Sequence, residues 1–382
     1  MSQINQSIIS EEEIIRPTHV EVDLRVLREN FASIKKRVSP SKLMIVLKAN
    51  AYGHGLVEIA KLLETLDVDY LSVAFLEEGI LLRKNGIIKP ILVLGGLWGN
   101  QVPLFLKYDL TITASSIEKL NQINDVSESM NKKALVHLKI DTGMERIGVH
   151  YYSAENFLEH SLKLNNIKIE GIYSHFANAD STDLTHTELQ LERFNEVLTF
   201  YQKRSLPAPI RHISNSGAIL QLPEANLDMV RPGLLFYGIY PTTELPKTVV
   251  VNPALTWKSL VVFFKVIKPK HPVGYGLRWE TDKNTRAVTI PVGYGDGYMR
   301  GMSGNAEVII RGERFPVIGT ISMDQIIANI KDKTAYNGDE VILLGKSGET
   351  IIRAEELAKW AGTIPYEILT NINTRVPRIY IR

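Results

Sequence analysis

The 382-residue sequence contains no cysteine. Disulfides, thiolate zinc sites and a cysteine nucleophile are therefore excluded. The absence also suits a reducing compartment, and a cytoplasmic location is expected. No apolar run approaches the ~20 residues that a membrane span needs. Excess charge is nearly absent, with 44 Lys and Arg against 42 Asp and Glu and a formal net of +2. Neither a nucleic-acid nor a membrane partner is implied. MSQINQSIISEEEIIR has no basic start ahead of an apolar core, so no signal peptide is expected. Internal repeats and low-complexity segments are also lacking.

What is present is ordinary globular material, 45% hydrophobic and 23% charged, and long enough for two domains. Apolar residues at Leu24, Leu27, Phe31, Ile34 and Val38 follow a helical period. Strand-like runs end at Lys48 and recur at 70–74, 91–94, 110–113, 134–140, 169–175, 210–214 and 227–230. Helical patterns lie between most of them, for example at 54–66, 115–124, 154–164 and 185–204. Eight such alternations predict an α/β fold, a (β/α)8 barrel over 17–250. A doubly wound open sheet is the rival. The texture changes near Pro241, where PTTELPKTVVVNP reads as a linker. Short strand-like runs at 260–267, 287–291, 306–310, 326–330 and 341–344 predict a mainly β domain over 251–382, with one firm helix at 354–361. The early run THVEV (18–22) could pair with that second domain.

Barrel enzymes carry their chemistry at the C-terminal ends of strands. Lys48 stands at such an end, and an amine beside apolar neighbours has a lowered pKa suited to a Schiff base. On the strand pattern alone it reads better as a surface lysine in a loop. HLKIDTGMERIG places Lys139, Asp141 and Arg146 at and beyond the end of the fifth strand, and IYSHFANAD places His175 at the end of the sixth. HISNSGA and MVRPGLLFYG place Asn215, Ser216, Arg231 and Gly233 after the last two, where barrels often hold phosphate on backbone N–H groups. Each residue alone also fits a cap or a turn. His175, Asp180, Asp183 and His186 show no tight ligand spacing such as HExxH, so no metal is expected. VGYGDGYMRG lacks the GKS or GKT ending of a phosphate loop and reads as a turn presenting Tyr294 and Asp296.

VLKANAYGHG resembles the pyridoxal-phosphate lysine motif of the alanine racemases. RPTHVEVDL, HLKIDTGMERIG, SHFANAD, SNSGA, RPGLLFYG, VGYGDGYMR, GTISMDQ and IPYEIL…TRVPRIY follow in that family's order, from Arg16 to Arg382. The resemblance implies a fold-type III pyridoxal 5'-phosphate enzyme. It also implies a head-to-tail homodimer whose sites are shared between chains. Lys48 would hold the cofactor, and Tyr52, Ser216, Tyr366 and the backbone at Gly233 and Leu234 its phosphate, with Asn215 beside them. Arg231 would face the pyridine nitrogen, and His175 would lie near the ring and bond to Arg231. Arg146 would bind the substrate carboxylate, oriented by Lys139, which is carbamylated in many relatives. The partner's Tyr275 would be a second catalytic base opposite Lys48. The partner's Met323 and the partner's Asp324 would line the entrance with Tyr294. A phenol acting as a base near neutral pH needs neighbouring positive charge, which Arg231 could supply through His175. The implied reaction is racemisation of alanine, supplying D-alanine for cell-wall peptidoglycan. Alternatives are a broader amino-acid or serine racemase, and a fold-type III decarboxylase, which generally needs the cysteine this chain lacks. The sequence departs from the family at Gly295, where alanine is common, after Tyr275, and in GGLWGNQ.

Overall fold

The computed structural model describes residues 16–382; the stretch read above for a signal sequence lies outside them, apart from Arg16. The chain divides into two units, Val26–Asn252 and Pro253–Arg382, the second joined by the N-terminal segment ending at Arg25. Strand β1 (His19–Asp23) therefore belongs with the C-terminal unit.

The first unit carries β2 (Lys42–Val46), β3 (Tyr70–Val73), β4 (Ile91–Val93), β5 (Thr111–Ala114), β6 (Ala134–Asp141), β7 (Val149–His150), β8 (Ile167–Tyr173), β9 (Ile210–His212) and β10 (Met229–Val230). They pair in the order β10-β2-β3-β4-β5-β6-β8-β9, every neighbour parallel, with β7 added beside β6. Two backbone bonds join the ends of this series: Asp228 N–H to Arg211 O at 3.1 Å and Arg231 N–H to Ser214 O at 3.0 Å. The sheet thus curls into the expected barrel, and the open-sheet rival fails. Parallel strands covered on both faces read as continuous apolar runs. β2 does so: Leu43, Met44, Ile45 and Val46 are all buried. Met44, Tyr70, Leu92, Tyr173 and Met229 pack together from five different strands. On the helix Leu24–Val38, Leu27, Phe31, Ile34 and Val38 form the buried stripe.

The second unit is a ten-stranded sheet. Its strands are β1, β11 (Leu255–Leu260), β12 (Phe263–Ile267), β13 (Thr285–Ile290), β14 (Glu307–Ile310), β15 (Glu313–Ile318), β16 (Ile326–Lys331), β17 (Glu340–Ser347), β18 (Thr350–Ile352) and β19 (Arg378–Ile381). β1 runs antiparallel to β11 and parallel to β19. The single run expected at 260–267 is two strands, because the chain changes neighbours in the middle. Leu260 faces Glu340 of β17, whereas Phe263 faces Thr289 of β13. The sequence reading also missed β15, which contains Pro316, and the six-residue helix Pro365–Thr370. The turn at 293–297 needs correction as well. Asp296 is not presented to solvent; it is fully buried. It accepts from Gly293 N–H at 3.0 Å and lies 2.7 Å from both Arg16 and Arg375.

Candidate active site

β2 ends where the Tyr237 hydroxyl donates to Val46 O at 2.9 Å. Leu47 N–H still crosses to Ser72 O at 2.7 Å, and Lys48 follows, half-buried. The next residues, Ala49, Asn50, Ala51 and Tyr52, have φ of 54°, 56°, 52° and 51°. This is a turn of left-handed helix made of L-residues, which crowds Cβ against the following carbonyl at roughly 1–2 kcal/mol per residue. Local bonds offset the cost: Ala51 N–H to Leu47 O at 2.7 Å, and Leu56 N–H to Asn50 Oδ1 at 2.8 Å. Ala49 N–H donates to Glu78 Oε1 at 2.7 Å. Gly53 (φ 80°) and Gly55 (φ 102°) then release the chain into the helix Leu56–Glu64, which starts later than the sequence pattern. The Lys48 amine has no hydrogen-bond acceptor among the described residues. Burial first, and then the Arg146 charge, lower its pKa, while Glu78 acts in the opposite sense.

Arg231 lies just after β10 and is buried. Nη1 donates to His212 Nδ1 at 2.9 Å. Nη2 faces Ser174 O at 2.8 Å, Ile213 O at 3.0 Å and His175 Nδ1 at 3.1 Å. A guanidinium only donates, so both imidazoles accept at Nδ1 and hold their proton on Nε2. His212 Nε2 then donates to His137 Nδ1 at 2.9 Å. The remaining His137 proton sits on Nε2, buried and without a partner among the described residues. Burial, followed by Arg231, pushes His175 and His212 well below the imidazole range and His137 down to about 3. The same two causes lower the Lys139 amine to about 7. Burial lowers Arg231 itself to about 10, which leaves it charged at neutral pH.

Lys139 shares the inner face of β6 with His137 and Asp141. It donates to Ile140 O at 2.9 Å and lies 5.1 Å from the Tyr173 ring centroid. The Asp141 carboxylate gathers the N–H groups of Gly143 (2.8 Å), Met144 (2.9 Å) and Arg146 (3.2 Å). Gly143 has φ 135° in this turn. The turn carries Arg146, whose charge is felt at both Lys48 and Lys139.

Asn215 caps the helix Ser216–Gln221: its Oδ1 accepts from Ala218 N–H at 3.1 Å. Its oxygen is committed to that cap. Ser216 Oγ accepts from Gly233 N–H at 3.0 Å and Leu235 N–H at 3.3 Å. Gly233 was expected to offer that N–H to a ligand, and here Ser216 takes it. The Leu234 N–H between them has no acceptor among the described residues. A Cβ on Gly233 would lie 2.7 Å from the Tyr52 hydroxyl. Glycine there lets the phenol of the strained turn meet the loop after β10.

The other singled-out residues lie in the C-terminal unit. Tyr294 N–H bonds Ser322 O at 3.0 Å and Gly295 N–H bonds Met323 O at 2.9 Å, so Tyr294, Met323 and Asp324 occupy two abutting turns. Asp324 is paired to Arg375 at 2.7 Å. Tyr275 is 74% exposed beside the same turns; its carbonyl accepts from Thr320 Oγ at 2.7 Å. Tyr275, Thr320, Ser322 and Phe263 line an open groove of ≈ 1210 Å³. Tyr366 lies on the helix Pro365–Thr370.

Three residues with clear parts in this arrangement were not singled out from the sequence: Glu78, His212 and His137. His137, Lys139 and Asp141 are polar at every second position of a buried strand, a signal that was available. Glu78 is legible as the third residue of a helix start. Its reach to Ala49 is not.

Comparison with known proteins agrees with this architecture. Family models for the alanine racemase N-terminal and C-terminal domains match residues 22–241 and 254–380. The alanine racemase of Carboxydothermus hydrogenoformans is 44% identical over 369 residues, covering 96% of this chain and 100% of that one. That of Methanococcus maripaludis is 38% identical, again covering 96% and 100%. The solved alanine racemase of Clostridium difficile 630 superposes with a TM-score of 0.91 at 41% identity, over 96% of each chain. Its complex with cycloserine gives 0.89 at 40% identity, with the same coverage. With both domains matched in order and barrel and sheet superposing along almost the whole length, the chain belongs to the alanine racemase family.

Proposed function

We propose that this enzyme interconverts L- and D-alanine with pyridoxal 5'-phosphate carried on Lys48, using two bases on opposite faces of the substrate. Lys48 is one base. The partner's Tyr275, in a homodimer, is the other. The observation that carries this reading is the Lys48 amine: half-buried, without an acceptor among the described residues, its pKa lowered by burial and Arg146. The surrounding donors fit a phosphorylated pyridine aldehyde. The Leu234 N–H and the Ser216 and Tyr52 hydroxyls cluster around Gly233, where a Cβ would fill the space. They would hold the phosphate, with Tyr366, and Asn215 would brace Ser216 through its cap. Arg231 would face the pyridine nitrogen.

When bound, the cofactor supplies the electron sink that lets the Cα proton leave. The chain's own groups do the rest. A single base cannot easily serve both faces of Cα, so Lys48 Nζ handles the proton on one face and the partner's Tyr275 Oη on the other. Nζ can accept a proton because burial and Arg146 favour its neutral form. Arg231 has only donors, so it would offer the pyridine nitrogen a hydrogen bond while keeping its own proton. Such a contact would weaken the sink and so restrain transamination. His175, held at Nδ1 by Arg231, presents Nε2–H as a donor suited to a phenolate. Arg146 binds the substrate carboxylate, and Lys139 orients it. The partner's Met323 and the partner's Asp324 would line the entrance, with Tyr294. The product serves peptidoglycan synthesis in the cytoplasm.

Two measurements test the proposal together. Purified enzyme with pyridoxal phosphate should abolish the optical rotation of L-alanine. Borohydride reduction should fix the cofactor on the peptide containing Lys48. An adduct on another lysine, or persistent rotation, rejects it.

A further inference from the structure

The left-handed turn after Lys48 is held from outside by Glu78, the third residue of the helix Leu76–Lys84. Its two carboxylate oxygens go to different places. Oε2 accepts from Ala74 N–H at 2.8 Å and Phe75 N–H at 3.2 Å, where β3 gives way to the helix. That half is an ordinary helix cap. Oε1 accepts from Ala49 N–H at 2.7 Å, a residue 29 positions away and next to the lysine. A cap alone has no need of this second bond.

We propose that Glu78 is a positioning residue for Lys48, clamping the first peptide of the left-handed turn to the end of β3 and placing a negative charge near the amine. This rests on the reading of Lys48 as the cofactor lysine and base. The turn needs such a clamp, because Ala49, Asn50, Ala51 and Tyr52 all have positive φ and the right-handed region lies lower for L-residues. A relaxed Ala49 would swing the adjoining side chain. The charged and titratable groups felt around the amine are Arg146, from the turn after β6, Glu78, and His175, after β8. Arg146 favours the neutral amine and Glu78 the ammonium. Glu78 thus sets both where the amine points and how readily it takes a proton.

The test uses full-length protein stripped of cofactor. The rate of pyridoxal-phosphate capture is followed by absorbance across pH, and Tm is recorded alongside. Glu78→Gln keeps the size and removes the charge. Its capture midpoint should move to lower pH by on the order of half a unit or more, since the ammonium loses a counter-charge. Glu78→Asp keeps the charge but is one methylene too short to span both strands. Its midpoint should stay, and its plateau rate should fall roughly tenfold as the amine loses its direction. Glu77→Gln removes an exposed neighbouring charge and should change neither readout. The proposal is overturned if Glu78→Gln keeps the wild-type midpoint, if Glu77→Gln shifts it equally, or if Glu78→Asp keeps the wild-type plateau. A role confined to capping would lower Tm alone, which also overturns it. Should Glu78→Gln fail to fold, the Asp plateau decides. Borohydride trapping separates the two levels. An adduct away from Lys48 sinks the underlying reading; adducts on Lys48 with unmoved kinetics sink only the role of Glu78.

Discussion

A guanidinium buried as deeply as Arg231 usually brings a carboxylate with it. Arg231 meets two carbonyls and two imidazoles instead, so its charge is solvated but not cancelled. Its neighbours respond by giving up protons. Lys139 is the clearest case, with a folded pKa of about 7 set by burial and then Arg231. An unfolded lysine titrates near ~10.4. Between these values the unfolded chain binds more protons, so stability must rise with pH across that window, by up to about 1.4 kcal/mol per pH unit. Below pH ~7 both states hold the proton and the slope ends. Chemical denaturation in carbon-dioxide-free buffer should show this rise in wild type and lose it in Lys139→Met. An amine half neutral near pH 7 is also open to carbon dioxide. Bicarbonate should add the mass of one carbon dioxide to the peptide holding Lys139, and an unmodified peptide with fully active Lys139→Ala would dismiss its orienting role. Replacing Arg231 itself by glutamate should invite a proton onto the pyridine nitrogen. Racemisation should slow by at least about tenfold while transamination rises. An unchanged product ratio would show that Arg231 does not restrain the sink.

At the scale of elements, the site depends on where chain segments can approach one another, and two glycines separate approach from packing. A Cβ on Gly233 would press on the Tyr52 hydroxyl, a side-chain atom, at 2.7 Å. Gly233→Ala should displace that hydroxyl and weaken cofactor binding by about tenfold, the value of one lost charge-assisted bond, with little change in Tm. A Cβ on Gly217 would lie 2.3 Å from Ala179 O, which is backbone and cannot step aside. Gly217→Ala should instead destabilise the fold by about 1–3 kcal/mol, readable by denaturant midpoint. The barrel was legible because β2 to β5 are buried on both faces apart from Lys42, and β2 and β4 read as apolar runs. The C-terminal sheet was less so. β12 is exposed at Phe263, Phe264 and Val266, so its apolar run carries no inside-outside alternation, and the break at 261–262 depends on which neighbour each half meets. Within the site, Lys48, Lys139 and Arg231 could be picked out as residues at strand ends. The lowered pKa of Lys48 followed from its apolar strand, but that of Lys139 did not, because it arises from burial and from Arg231, which the loop after a separate strand brings in. The left-handed turn was equally hidden, since KANAY contains no glycine to announce it.

At the scale of the whole molecule, the residues proposed for one reaction are carried by two units, Lys48 in the barrel and Tyr275 in the C-terminal sheet. Tyr275 is exposed, and so are Phe263, Val266, Leu277 and Met323 in the same unit. An exposed apolar surface next to a proposed catalytic phenol suits burial by a second copy of the chain. If sites are shared, two inactive proteins can repair each other. Lys48→Ala and Tyr275→Phe, unfolded together and refolded, form some mixed dimers. In each of these, one site receives both defects and the other receives neither. Activity should return to about half of wild type per mixed dimer, as expected for independent sites at a two-fold interface. If each site used residues of a single chain, both sites would keep one defect and nothing would return. Native mass spectrometry establishes that mixed dimers are present; given that, absence of recovery rejects the shared site and leaves Tyr275 to act, if it acts, within its own chain.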